Sequence, residues 1–317
     1  MTYRPLGSSG LMVSAVGLGC NNFGRPHTST ETQQGTDAVI GAAIDAGVTF
    51  FDTADIYGGE RGLSEALMGE ALQGRRDDIV LATKFGMDMQ GVNGADWGAR
   101  GSRRYIRIAV EASLRRLQTD WIDLYQLHQP DPITPIEETL AALDELITEG
   151  KVRYIGHSNL AGWQIADAHY IATLAGHPRF VSAQNEYSLI ERGVEAEVLP
   201  AVREYGLGFL PYFPLFNGVF TGKFSGGARP AQSRIMHTRP EVLERVDWDA
   251  YARYEEFCAS RGVTVLEATF GWLLAQPALA SVIAGATSPE QIRQNAAAGV
   301  AWAPTGDDVA EISSIWS

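Results

Sequence analysis

The chain has 317 residues, of which 45% are hydrophobic and 20% charged, an ordinary balance for a globular protein with a large core. Its net charge of −13 argues against nucleic acid and anionic membranes as partners, while allowing a local basic pocket for a phosphate. Cys20 and Cys258 are the only cysteines, so neither a disulfide framework nor a metal centre is expected. The N-terminus lacks a signal-peptide pattern, and the most apolar region, 263–286, is interrupted by Glu267, Gln276 and Pro277. The expectation is a reduced, cytoplasmic protein.

Tyr3–Leu6 and Leu11–Ser14 flank Gly7-Ser8-Ser9-Gly10 and read as a β-hairpin. Strand and helix patterns then alternate. Strand Val16–Gly19 precedes a loop to Thr30 and a helix over Thr32–Ala46, closed by Gly47. Strand Val48–Asp52 precedes helix Ser64–Leu72. Strand Ile79–Lys84 precedes a Gly-rich loop, 86–100, and a helix from the Ser102 cap to Leu117. Strand Asp123–His128 is followed by a helix that begins near Pro135 and ends at Gly150. Strand Tyr154–Ser158, helix Ala161–Ala175, strand Val181–Asn185, helix Glu195–Tyr205 and strand Gly208–Tyr212 come next. A long loop, 213–247, leads to helices Asp249–Arg261 and Val265–Ala275. Strand Ser281–Ala284, helix Pro289–Ala298 and a tail helix from Asp307 complete the chain.

Eight strand–helix pairs without a composition break predict one domain over 1–317, an α/β fold with parallel strands and right-handed crossovers. Eight such units close into a (β/α)8 TIM barrel, with an open doubly wound sheet as the structural alternative. The hairpin is expected to plug the bottom of the barrel.

Active sites of such barrels lie at the C-terminal strand ends. Those ends read Gly19/Cys20, Asp52, Lys84, His128, Ser158/Asn159, Gln184/Asn185, Tyr212 and Gly285, with Tyr57 just beyond Asp52. Singly, a strand-end Lys is commonly a solvated charge and a lone His a structural one. Together, Asp52, Tyr57, Lys84 and His128 form an acid–base set. Tyr57 is protonated at neutral pH and can donate to a carbonyl oxygen. Lys84 would make that phenol a better acid, Asp52 would hold Lys84, and His128 would orient the carbonyl or relay the proton. With no serine or cysteine nucleophile in evidence, a bound hydride donor is the natural reductant. Ser158, Asn159 and Gln184 offer amide contacts, Tyr212 a stacking face, and Gly218, Gly222, Lys223, Arg229 and Arg234 a phosphate loop, with Ser288 opening a helix. Gly17-Leu18-Gly19 with Gly24 has the wrong spacing for a dinucleotide fingerprint.

The segments Gly47–Gly58 with Ser64-Glu65, Ile122–His128, Gly150–Gly156 with His157-Ser158-Asn159, Gln184–Tyr187 and Gly285–Gln291 resemble, in this order, the aldo-keto reductases. That resemblance implies a barrel that binds NADP(H) and reduces a small-molecule aldehyde or ketone. It places Asp52, Tyr57, Lys84 and His128 as the catalytic tetrad. It places Cys20, Asn21, Asp52, Ser158, Asn159, Gln184, Tyr212, Phe213, Pro214, Leu215, Asn217, Gly218, Lys223, Arg234, Gly285, Thr287, Gln291 and Asn295 around the cofactor. Phe213 stands where members usually carry Ser, Phe216 and Asn217 where they carry small residues, and Gln291 where several place an Arg on the 2′-phosphate. The resemblance therefore also admits an NAD-dependent sugar or alcohol dehydrogenase. Two further readings are a Schiff-base lyase on Lys84 and a cofactor-binding regulatory barrel with little turnover. Trp97, Phe23, Phe213 and Phe216 suggest a partly aromatic substrate pocket. No heptad pattern indicates an oligomer.

Overall fold

Strands β1 (Tyr3–Pro5) and β2 (Met12–Ser14) pair antiparallel, with Tyr3 opposite Ser14, in a computed structural model that describes residues 1–228, 235 and 239–317. They are followed by β3 (Val16–Gly19), α1 (Gln33–Asp45), β4 (Phe50–Asp52), α2 (Leu63–Ala71), β5 (Val80–Phe85) and α3 (Arg103–Leu117). Next come β6 (Ile122–Leu127), α4 (Ile136–Thr148), β7 (Val152–Ser158), α5 (Gly162–Ala175), β8 (Ser182–Glu186) and α6 (Val198–Glu204). Finally come β9 (Gly208–Tyr212), α7 (Trp248–Arg261), α8 (Val265–Leu274), β10 (Val282–Gly285), α9 (Pro289–Ala301) and α10 (Gly306–Ile315). The caps follow from side chains. Ser102 accepts from the Tyr105 N–H, Ser288 from that of Gln291, and Thr264 and Glu267 form a reciprocal capping box.

The eight strands from β3 to β10 are all parallel, in the order β10-β3-β4-β5-β6-β7-β8-β9. The ring closes through Phe209, whose N–H donates to Ala278 O at 2.7 Å and whose carbonyl accepts from Ala280 N–H at 2.9 Å. This is the expected (β/α)8 barrel. Strand ends shift by a residue or two from expectation: β4 starts at Phe50, β10 ends at Gly285, and α6 is shortened by a 3-10 turn at Gly193–Glu195. The loop after β9 carries 3-10 turns at Phe216–Thr221, Ser225–Gly227 and Pro240–Arg245.

Strand alternation sorts the barrel into layers. Leu18, Phe51, Leu81, Tyr125, Leu127 and Ile155 face the helices. Phe50, Ala82, Leu124, Leu210 and Ile283 line the lower interior and pack with Leu6 and Val13 of the hairpin. The hairpin is thus the plug. Gly7 allows it, since a Cβ there would lie 2.5 Å from Gly206 O and Gly208 N, and its φ is +61°. The next inward residues up the strands are Asp52, Lys84, Gln126, Ser158, Gln184 and Tyr212, so one polar layer caps an apolar one.

His157 lies between Ile155 and the site on the outward face of β7. It is fully buried, its ring meets Phe180 edge-on at 5.2 Å, and neither ring nitrogen has a partner. Burial lowers its pKa to about 3. A depressed native value means that its stabilising neutral form is secure above the unfolded value of about 6.5, and stability is lost as pH falls from there to about 3. In urea unfolding, His157→Leu is expected to flatten that acid-side loss by up to about 1.4 kcal/mol per pH unit. An unchanged slope would remove His157 as its source.

Candidate active site

Strand ends β4, β5, β6 and β8 bring the expected groups together. Lys84 Nζ donates to Asp52 Oδ2 at 2.6 Å and to Thr53 O at 2.9 Å. Asp52 Oδ1 accepts from Gln126 Nε2 at 3.1 Å and from Gln184 Nε2 at 3.0 Å. Three donors therefore hold this buried carboxylate in place. Lys84 Nζ lies 5.2 Å from the Tyr57 ring centre, and the Tyr57 and His128 rings meet edge to face at 5.8 Å. The four side chains form one cluster, partly open to solvent at Tyr57.

Burial works against charge at all three titrating groups around Asp52. It would lower the Lys84 ammonium, but Asp52, then Tyr57, more than offset it and hold Lys84 above its usual range. Asp52 thus favours the Lys84 ammonium over the free amine that Schiff-base chemistry needs. Burial raises the Tyr57 phenol, and Lys84 offsets this only in part, so its pKa stays above 10. The expected acidifying effect of Lys84 is present but is the smaller effect. Burial and then Lys84 push His128 well below its usual value, leaving a neutral imidazole whose Nδ1 is enclosed without a partner.

A second buried network lies behind Tyr57, and it was not foreseen. Glu65 Oε1 accepts from Thr83 Oγ1 at 2.5 Å, and Arg116 Nε donates to Glu65 Oε2 at 2.7 Å. Arg116 Nη1 donates to Asn93 Oδ1 at 2.8 Å, and Asn93 Nδ2 to Asp55 Oδ2 at 3.1 Å. Burial, then Glu65, drives the Asp55 carboxyl well up. Its N–H donates to Lys84 O at 3.2 Å, so the turn that presents Tyr57 is tied to the strand that presents Lys84.

Ser158 Oγ donates to Gln184 O at 2.7 Å and accepts from Asn159 Nδ2 at 3.1 Å. Asn159, at φ +62°, also donates to His128 O at 3.0 Å and accepts from the Tyr212 hydroxyl at 3.0 Å. Tyr212 and half-buried Phe213 meet edge-on at 5.3 Å. Beyond them Pro214 and Leu215 are buried, and Asn217 and Gly218 take φ of +56° and +92°. Asn217 Oδ1 is enclosed without a partner, and a Cβ on Gly218 would lie 3.0 Å from Lys223 Nζ. Arg229 and Arg234 lie outside the described residues.

At the next strand end, Asn22 Nδ2 would lie 3.0 Å from a Cβ on Gly285. Gln291 Oε1 accepts from the Thr287 N–H at 2.8 Å and hydroxyl at 3.1 Å, Ser29 Oγ donates to Thr287 O, and Asn295 is buried one turn on. Asn21 sits partly buried in the turn after β3. Cys20 is buried, with its thiol 3.4 Å from Leu18 O and raised well above its usual range by burial and Asp52, so it points back along its own strand. Of the expected aromatic wall, Phe23 and Phe216 are core residues, whereas Trp97 is 76% exposed beneath Arg104 at 4.4 Å. A cleft of about 310 Å³ lies at the barrel's other end, between Ser8, Tyr154 and Arg179, remote from this cluster. Among the described residues no group of His, Cys, Asp and Glu is placed to hold a metal ion, and no helix is long and apolar enough to cross a membrane.

The chain is similar to an uncharacterized oxidoreductase, YrpG, of Bacillus subtilis (strain 168), with 38% identity over 92% of this chain and 89% of that protein. It is 37% identical to probable aldo-keto reductase 1 of Glycine max, over 92% of this chain and 82% of that one. It is 36% identical to a probable voltage-gated potassium channel subunit beta of Oryza sativa subsp. japonica, over 93% and 90%. The profile of the Aldo/keto reductase family matches residues 15–317. With a polar layer of this kind at the rim of its barrel, the chain belongs to the aldo/keto reductase family of oxidoreductases.

Proposed function

We propose that the protein reduces an aldehyde or ketone to an alcohol with NADPH, Tyr57 being the general acid. The observation that carries this is the Tyr57 ring set between Lys84 Nζ at 5.2 Å and the His128 ring at 5.8 Å, with burial favouring the protonated phenol. NADPH would supply a hydride to the carbonyl carbon. Tyr57 gives its proton to the carbonyl oxygen, a service typically worth about 10²–10⁴ in rate. His128, kept neutral, hydrogen-bonds the same oxygen without competing for the proton. Lys84 stabilises the negative charge left on Tyr57, and Asp52, Gln126 and Gln184 hold Lys84 in place.

The residues fit a nicotinamide cofactor. Ser158, Asn159 and the free Oε1 of Gln184 would hold the carboxamide, and Tyr212 the ring face. Phe213, Pro214, Leu215, Asn217 and Gly218 would underlie the pyrophosphate, where the enclosed Asn217 Oδ1 can accept from a ligand hydroxyl. Gly285, Thr287, Gln291 and Asn295 would take the adenosine end, with Cys20 and Asn21 beside them at the end of the neighbouring strand β3. Lys223 and Arg234 would carry the 2′-phosphate.

A fluorescence titration with NADPH and then NADH tests this. Tighter NADPH binding is expected, and Lys223→Ala should weaken NADPH about tenfold while changing NADH less. Equal weakening of both would take the 2′-phosphate away from Lys223, and tighter NADH binding would favour the dehydrogenase reading. The rice relative's name raises a regulatory role, but a binding protein has no need of an assembled Tyr57, Lys84 and His128 cluster.

A further inference from the structure

Two arginines at the mouth of the site have no part in the chemistry above. Arg25 stands in the loop after β3, which the Tyr57 turn grips: Gly59 N–H donates to Gly24 O at 2.7 Å, and Gly24 N–H to Thr30 O at 2.8 Å. Arg239 opens the 3-10 turn at Pro240–Arg245, held by its own N–H to Ile235 O at 3.0 Å. Its guanidinium lies 5.6 Å from the Phe213 ring centre, and Phe213 abuts Tyr212. Burial, then Arg239, lowers the pKa of Arg25, and the Tyr57 phenol is the next group near enough to act on it. The two cations thus lie near each other, Arg239 beside Phe213 and Arg25 on the loop that the Tyr57 turn holds.

Neither forms an ion pair with a carboxylate among the described residues. The acids at this rim are otherwise occupied or set back. Glu191 is paired with Arg245 at 2.6 Å. Glu186, at the end of β8, is half-buried with its carboxyl raised by burial and Glu191; Arg245 and Arg239 offset this only in part, and Glu186 makes no ion pair with Arg239. Two like charges that oppose each other, in a chain of net charge −13, are costly without an anion between them. A guanidinium fork matches carboxylate and phosphate oxygens in two parallel hydrogen bonds.

We propose that Arg25 and Arg239 bind the carboxylate or phosphate of an anionic carbonyl substrate, whose carbonyl then reaches Tyr57. The proposal rests on Tyr57 being the proton donor. It makes the anion the substrate's own and not a phosphate of the cofactor.

The test uses the full chain with NADPH and two aldehydes of equal shape, 4-carboxybenzaldehyde and 4-carbamoylbenzaldehyde. The wild type should favour the carboxylate in kcat/KM by tenfold or more, within the range of one charge-assisted hydrogen-bond pair. Arg25→Met should bring that ratio toward one, Arg239→Met should lower it, and Arg25→Lys should retain part of it. A wild-type ratio near one, or a ratio unmoved by both Met variants, overturns the proposal. So does a loss of NADPH affinity in Arg25→Met as large as its loss of carboxylate turnover, because the anion would then be the cofactor's. Reduction of neither aldehyde by the wild type would bring down the reductase reading itself, and the proposal with it. That outcome is distinct because no rate is seen at all.

Discussion

Tyr57→Phe is expected to lower the rate of carbonyl reduction by about 10²–10⁴ while NADPH binds almost as before. The phenyl ring keeps its edge contact with His128 and its place beside Lys84, so the substitution removes one oxygen and little packing. Single-turnover reduction measures the loss, and the fluorescence titration measures the retained affinity. The pH dependence adds a second check. Burial holds the Tyr57 hydroxyl above its ordinary value of 10, so the donor stays protonated through the neutral range. Wild-type reduction should therefore be flat there and fall only in strong alkali, where the proton is lost. The residual rate of Tyr57→Phe should lack that alkaline fall. Near-full turnover in the variant would end Tyr57's assignment as the acid.

Much of this site was legible in the sequence because a parallel barrel puts its chemistry at strand ends. Asp52, Lys84 and His128 each close an apolar run, so their convergence needed only the strand count. Gln126 was not singled out, because a polar residue inside a strand reads as ordinary alternation. Its parity with Leu124 and His128 was the available signal, since residues two apart face the same way. The network of Asp55, Glu65, Asn93 and Arg116 carried no such signal. Its hydrogen-bonded members lie 23 to 51 residues apart and on unlike elements, and only packing joins them. The aromatic pocket failed for a related reason. Composition cannot separate a ring that lines a cavity from one that fills the core, and Phe23 and Phe216 fill the core. The energetic order around Tyr57 was also beyond reach, since desolvation depends on burial that no local pattern gives.

Asp52→Leu should destabilise the fold by about 3–5 kcal/mol at pH 7, more than the double substitution Asp52→Leu/Lys84→Met. Asp52 is 3% exposed and Lys84 fully buried, so removal of the carboxylate leaves an ammonium without water or counter-charge. Gln126 and Gln184 lose their shared acceptor in the same step. The double substitution removes the stranded charge and keeps comparable volume, so much of the loss should return, although activity should not. The single variant should also gain stability as pH rises. Without Asp52, burial is left as the main influence and pulls the Lys84 ammonium below its unfolded value. The unfolded chain then binds a proton that the native one does not, and raising the pH favours the native state. The wild type runs the other way, with Lys84 held above its usual value and the contribution of the pair present up to that value and lost beyond it. Urea unfolding of the three proteins at pH 6, 7 and 9 distinguishes the cases. A double variant no more stable than Asp52→Leu would mean that the cost lies in the hydrogen bonds of the two glutamines and not in the unpaired cation.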